Sequence, residues 1–179
     1  SFLEEECYFE NNIVINKSTG RVIRGIVVVH VFGNPARMEQ IMQIAEEFNL
    51  FVLEDASEAL GSKYTEGKYA GKYCGTIGDL GVFSFNANKI MTTGGGGMVV
   101  SSNEDLADKI SFLATQAKTD PLRFIHDEVG YNYRLTNIAA AFGLSQIDKM
   151  DEFLQTKKEN YFLYKKAFHN HGLKMLDFD

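Results

Sequence analysis

The run Gly25-Ile26-Val27-Val28-Val29-His30-Val31 is unbroken and β-branched, and together with the residues after it leaves few folds open. Such a run is the pattern of a strand buried on both faces of a parallel sheet. A helix should come next. The span 36–48 supplies one, with Met38, Ile41, Met42, Ile44, Ala45 and Phe48 recurring at close to the helical period after a Gly33-Asn34-Pro35 start. Leu50 to Leu53 then reads as a second buried strand, ending at Glu54-Asp55. Strand, helix and strand make a βαβ unit, which sets its two strands parallel. Open α/β sheets take their ligands at the carboxyl edge of the strands, and Asp55 falls there.

The rest of the chain fits around that unit. Phe9 to Ile23 alternates apolar and polar about Asn16-Lys17-Ser18-Thr19-Gly20, which predicts a small hairpin. Lys63 to Lys72 carries turn signals and predicts a surface hairpin or loop. Gly81 to Phe85 and Gly97 to Ser101 read as two further strands. Asp105 to Gln116 reads as a helix with Asn103 as its cap, and Lys118 to Asp127 as a loop around Pro121. Two helices close the chain, Thr136 to Met150 with a face of small residues (Ala139, Ala140, Ala141, Gly143) and Asp151 to Phe168, amphipathic and charged. The small face is suited to close packing against another helix or subunit.

The chain has 179 residues, a net charge of -6 and no dense stripe of Lys or Arg, which argues against nucleic acid and anionic membrane as partners. Its apolar runs are too short to span a bilayer. The acidic start Glu4-Glu5-Glu6 stands where a signal peptide would be basic. Cys7 and Cys74 make neither a disulfide framework nor a zinc site, and a reducing cytoplasm is the natural reading.

The chemistry concentrates between the last two strands. Lys89 has Ser84 five residues before it and Gly94-Gly95-Gly96-Gly97 just behind it, and it comes after Asp55 in the chain. Glycines there let the backbone adopt positive φ or approach a ligand. A carboxylate, a hydroxyl and a lysine in this order suit pyridoxal phosphate, which needs an amine for its aldehyde, a carboxylate for its ring nitrogen and donors for its phosphate.

With these residues in hand the chain resembles the DegT/DnrJ/EryC1/StrS family of pyridoxal-phosphate sugar aminotransferases. The matching pieces are His30-Val31-Phe32-Gly33-Asn34-Pro35, Glu54-Asp55-Ala56-Ser57-Glu58-Ala59, Gly78 to Phe85, Lys89 with its glycines, and Gly130-Tyr131-Asn132-Tyr133-Arg134. The resemblance implies the large domain of the type I, aspartate-aminotransferase-like fold, a mostly parallel sheet flanked by helices, incomplete in this chain. It implies residues 1–149 as the central and later part of that domain, and 150–179 as a long helix leading toward a small domain beyond.

Asp120-Pro121-Leu122-Arg123-Phe124-Ile125-His126 and the segment around Lys89 are most similar to the branch that aminates nucleotide-linked 4-keto-6-deoxy-N-acetylhexosamines, with glutamate as amino donor. A 3-keto sugar-nucleotide aminotransferase and a non-catalytic fragment serving as an assembly surface are the alternatives.

By resemblance Lys89 holds the cofactor's aldehyde and shuttles the proton, and Asp55 pairs with the ring nitrogen. The residues themselves also allow Asp55 as a helix cap. Glu58 stands near the cofactor's phenolic oxygen, where a carboxylate would repel it unless protonated or water-bridged. Ser84 donates to the phosphate or is an ordinary strand serine. Asn86 stands where many relatives carry histidine, so a histidine-specific contact is lost. Asn132 reaches the phosphate in the partner's site of a homodimer, or is a turn asparagine. Thr92 and Thr93 touch substrate or satisfy the turn. His30 lies near the sugar pocket or, on the reading preferred here, is a satisfied core histidine.

Overall fold

The computed structural model describes residues 2–120 and 122–176; Pro121, in the expected loop, and the last three residues of the 150–179 segment lie outside them. In chain order the elements are α1 (Phe2–Glu6), β1 (Cys7–Glu10), β2 (Ile13–Asn16), β3 (Val22–Ile23), β4 (Gly25–Val29), α2 (Met38–Glu47), β5 (Phe51–Asp55), β6 (Leu80–Ser84), β7 (Gly97–Val100), α3 (Glu104–Ala114), β8 (Lys118–Asp120), β9 (Ile125–His126), α4 (Asn137–Ile147) and α5 (Met150–Asn170). The chain divides into two units, Ser1–Phe83 with Val99–Tyr133, and Ser84–Met98 with Arg134–Asp179.

The first unit holds the βαβ arrangement. β4 pairs with β5 in parallel from Gly25↔Phe51 to Val29↔Asp55, and β5 pairs with β6 in parallel through Leu53↔Leu80 and Asp55↔Val82. The sheet runs β4-β5-β6-β7. Met38 and Ala45 of α2 pack with Val28, Val52 and Leu50, and Cys7 and Val14 join the same core. Each large apolar side chain so enclosed contributes about 1.5–3 kcal/mol. On the other face Val27 is 67% exposed and Val29 50%. Burial on both faces, expected from the β-branched run, thus holds for one.

β4 also stops two residues early. Val31–Gly33 forms a 3-10 turn in which Phe32 has φ 55 and Gly33 φ +81, a bend that no continued strand could make. The expected hairpin is a three-stranded meander, β1-β2-β3. Its first turn is the pair Asn11-Asn12, with φ 50 and 65, which matches the twist of a two-residue hairpin. Its second turn is drawn together by Asn16 Oδ1, which accepts from Ser18 Oγ and Thr19 N.

α3 begins where Asn103 Oδ1 accepts the Leu106 N–H at 3.1 Å, as its cap residue suggests. The expected loop after it contains a short antiparallel pair, β8 with β9. Asp120 Oδ1 accepts the N–H groups of Leu122 and Arg123, both at 2.9 Å, and reverses the chain there.

The second unit consists of the segment Ser84–Met98 with α4 and α5. Thr136 caps α4 through Oγ1, which accepts the Ala139 N–H. Gly143 of α4 is buried, and a Cβ on it would lie 2.8 Å from Thr93 Cγ2. At Gly143 the small-residue face meets the turn at Thr93.

Candidate active site

Alternation along β5 sends neighbouring carboxylates to opposite faces. Glu54 points into the core with no solvent exposure, and Asp55 stays half-buried at the carboxyl end of the strand. The Asp55 carbonyl accepts the His30 N–H at 3.0 Å, and its Oδ1 accepts the Ser57 N–H at 3.0 Å. The local turn read as an alternative for Asp55 is therefore present.

Glu54 is the residue whose importance the sequence does not announce. Its two oxygens accept the N–H groups of Gly75 at 2.9 Å, Ile77 at 2.6 Å and Gly78 at 2.6 Å, together with His30 Nε2 at 2.9 Å. Burial alone would push the Glu54 carboxyl up, but the hydrogen bond from His30 and the three backbone donors outweigh it and hold the group below its usual range. The loop from Gly75 to Gly78 is thereby folded around one ionised side chain at the strand that carries Asp55. Gly75 sits at φ +83, where a Cβ would lie 2.6 Å from Phe83 Cζ, so no larger residue fits.

His30 is fully buried, with Nδ1 accepting the Ala36 N–H at 3.1 Å, which makes it the satisfied core histidine of the preferred reading. Burial opposes charge on this ring, while Cys74 and Glu54 favour it and push its pKa up to about 9. The proton to be gained has only Nδ1 to go to, and Nδ1 already accepts from Ala36. In the geometry seen here Nε2 carries its proton toward Glu54, and a ring that gained the second proton would have to give up the Ala36 bond.

Glu58 is exposed and accepts the Phe32 N–H through Oε2 at 2.9 Å. A Cβ on Gly33 would fall 2.8 Å from the Glu58 carbonyl oxygen, so main chain and side chain of Glu58 both lie against the 3-10 turn. Asn132 belongs to the same unit. Its backbone bridges to Thr115, and its neighbours are held to the end of α3 by Tyr131 N to Leu113 O at 2.7 Å and Tyr133 N to Ala114 O at 3.0 Å. Tyr131 and Tyr133 stack with ring centres 5.0 Å apart, and Asn132 itself is exposed.

Ser84, Asn86 and Lys89 belong to the second unit. Ser84 Oγ accepts the Asn86 N–H at 3.3 Å, and the Asn86 carbonyl accepts the Lys89 N–H at 3.1 Å. Asn86 Nδ2 donates to Asn88 Oδ1 at 3.2 Å. Lys89 is half-buried. The base of its turn is closed by buried Phe85, whose N–H donates to the Gly96 carbonyl and whose carbonyl accepts Thr93 N and Thr92 Oγ1, at 3.0, 3.0 and 3.1 Å. Gly94 and Gly96 stand at φ +79 and +91, which the closure requires. The hydroxyls of Thr92 and Thr93 satisfy the turn: that of Thr93 donates to the Gly95 carbonyl.

Among the described residues no group of three or more His, Cys, Asp or Glu could hold a metal ion, and no helix is long and apolar enough to cross a membrane.

The sequence matches the DegT/DnrJ/EryC1/StrS aminotransferase family over residues 10–178. It is 47% identical over 143 residues to the GDP-perosamine synthase of Escherichia coli O157:H7, a match covering 80% of this chain and 38% of that protein. It is 37% identical over 167 residues to the UDP-4-amino-4,6-dideoxy-N-acetyl-beta-L-altrosamine transaminase of Campylobacter jejuni serotype O:23/36, covering 89% of this chain and 43% of that protein. Among solved structures, Helicobacter pylori PseC, an aminotransferase involved in the biosynthesis of pseudoaminic acid, superposes with a TM-score of 0.74 at 32% identity, over 81% of this chain and 38% of that one. The chain thus spans roughly two fifths of the length of the curated relatives it matches.

Proposed function

The chain belongs to the DegT/DnrJ/EryC1/StrS aminotransferase family, and from that premise we propose that the protein moves an amino group from glutamate to a keto carbon of a nucleotide-linked sugar, using pyridoxal phosphate. The observation that carries the proposal is the lysine turn: a half-buried Lys89 on a backbone closed at Phe85 by three hydrogen bonds, in a chain whose central strand ends on Asp55. The donor set fits the cofactor. An amine suits its aldehyde, a carboxylate its ring nitrogen, and a hydroxyl and an amide its phosphate.

Bound pyridoxal phosphate supplies an electron sink for the carbon that loses or gains a proton. Lys89 Nζ would hold the cofactor's aldehyde carbon until an incoming amine displaces it, and as the freed amine it would carry the proton between the two carbons that exchange it. The Asp55 carboxylate would keep a proton on the pyridine nitrogen, and its bond to the Ser57 N–H would set the side-chain rotamer from which it does so. Ser84 Oγ donates to the phosphate. Asn132 donates to the phosphate of a second protomer, a role suited to an exposed side chain whose backbone is fixed on both sides. Glu58 acts through the turn at Phe32, and a carboxylate already accepting a backbone N–H repels a nearby phenolate less. Asn86 shapes the turn through its carbonyl and amide.

For the acceptor we favour a nucleotide-linked 4-keto-6-deoxy-N-acetylhexosamine, in line with the sugar named for the Campylobacter relative. The greater identity to a GDP-perosamine synthase supports a second reading, a GDP-linked acceptor. Residues 1–149 then serve as part of the cofactor-binding domain and 150–179 as the helix leading out of it, and the protein works as a cytoplasmic homodimer. An assay of the full-length enzyme with glutamate and a panel of UDP- and GDP-linked 4-keto and 3-keto sugars tests this. Preferred turnover of the UDP-linked 4-keto N-acetyl sugar is expected. Preference for the GDP-linked or 3-keto compounds overturns the acceptor assignment, and no amination of any member overturns the activity.

A further inference from the structure

We propose that Gln146 of α4 is a positioning residue for Lys89, acting through the backbone of Thr92. The proposal rests on the reading of Lys89 as the amine that holds the cofactor. Gln146 Nε2 donates to the Thr92 carbonyl at 2.7 Å, and Gln146 Oε1 accepts the Thr92 N–H at 3.2 Å. The side chain thus pairs with Thr92 as a neighbouring strand would, meeting both of its backbone groups. The second Nε2 hydrogen goes to the Phe142 carbonyl on the same helix at 2.9 Å. Every hydrogen-bonding direction then agrees on one amide orientation, since a flipped amide would set NH2 against N–H and oxygen against oxygen.

Thr92 is where such a clamp fixes the turn. It lies three residues after Lys89, and Met91 between them is buried. The Thr92 hydroxyl donates to the Phe85 carbonyl and accepts the Gly94 N–H at 2.9 Å, so side chain and backbone are all engaged. On the other side of Lys89, the Asn86 carbonyl takes the Lys89 N–H. One turn of α4 before Gln146, Gly143 lies against Thr93 so closely that a Cβ would need Thr93 to give way. One face of α4 therefore meets the lysine turn twice, once through a gap only glycine leaves and once through a two-way amide clamp.

A flexible side chain depends on such support. Lysine carries its amine on a four-carbon stem, so Nζ is only as well placed as the backbone beneath it. A misplacement of about 1 Å at a reacting group can cost on the order of a hundredfold in rate. A primary amide can both donate to and accept from the two backbone groups of one residue, and glutamine carries that amide here. Glutamate of the same length keeps the acceptor but, when ionised, faces the Thr92 carbonyl with a second acceptor.

The test uses full-length protein with pyridoxal phosphate as probe, in wild type, Gln146→Ala and Gln146→Glu. Borohydride reduction and peptide mapping identify the labelled lysine, stopped-flow absorbance gives the rate at which added cofactor is captured, and amide exchange of the cofactor-free protein reports on Thr92. We expect label on Lys89 in the wild type. In Gln146→Ala, exchange at the Thr92 N–H should rise about tenfold or more and capture slow by about tenfold or more. Gln146→Glu, normalised to wild type at each pH, should capture well at low pH, where its carboxyl can donate, and poorly once ionised. Label on Lys89 with unchanged capture and exchange in Gln146→Ala overturns the clamp and leaves the Lys89 reading standing. If Gln146→Ala does not fold, a Gln146→Glu capture rate equal to wild type at every pH overturns it equally. Label on another lysine overturns the Lys89 reading and this proposal with it.

Discussion

Two adjacent carboxylates on one strand point to opposite faces, one buried and one half-buried, and they should fail differently. Glu54 is enclosed with four hydrogen bonds, so Glu54→Gln must present an NH2 to donors; we expect a loss of about 3–5 kcal/mol of stability, read from denaturant melts. Because its carboxyl is held below the unfolded value, its contribution is complete above ordinary carboxylate pH and is lost as pH falls through the lower folded value. Wild-type stability should therefore decline on acidification through about pH 4 and below, and the decline should be shallower in Glu54→Gln. Asp55→Asn should fold normally yet slow turnover by orders of magnitude, because an amide does not keep the ring nitrogen protonated; a near-normal kcat would remove Asp55 from that role. The sequence made Asp55 visible through its place at a strand end. It gave Glu54 no such mark, because what distinguishes Glu54 is a set of backbone N–H groups 21 to 24 residues further along the chain. The bond of Glu58 to Phe32 depends on a left-handed turn that Val31-Phe32-Gly33 does not advertise.

Elements whose start and stop are local were legible, and those that depend on distant backbone were not. Asn103 and Thr136 cap α3 and α4 through bonds three residues long, which a sequence displays directly. The βαβ unit is legible from the apolar period of α2 between two β-branched runs. The meander escaped because its first turn is Asn11-Asn12, where asparagine does what glycine more often does. The exposed face of β4 escaped because alternation cannot be read in a run where every residue is apolar. Gly81 shows the same limit: a Cβ there would overlap the Gly75 carbonyl, a constraint set by loop closure around Glu54. Gly81→Ala should consequently be recovered poorly from soluble extracts and melt well below wild type, whereas Ala at Gly95, which nothing approaches within 4 Å, should melt close to wild type. Equal melting of the two would mean that the loop can move aside.

Across the whole molecule, the family was readable because its motifs stand in a fixed order, while the link from α4 joins Thr92 to Gln146 across 54 residues and leaves no motif. The proposed exchange of Asn132 between protomers has a sharp consequence. Lys89→Ala and Asn132→Ala enzymes, each inactive alone, should recover activity when mixed and reassociated, since each hybrid dimer holds one site with both residues intact. Random reassociation restores about a quarter of the sites in a two-fold dimer; no recovery would put Asn132 in its own protomer's site or in none. The most direct measurement tracks the nitrogen itself. Full-length enzyme is given isotope-labelled glutamate, pyridoxal phosphate and a nucleotide-linked 4-keto-6-deoxy-N-acetylhexosamine, and the sugar product is weighed by mass spectrometry. We expect one labelled nitrogen per product sugar in the wild type and none in Lys89→Ala that still folds; labelled product formed by folded Lys89→Ala at the wild-type rate, or none from the wild type with any nucleotide-linked keto sugar, would contradict the assignment.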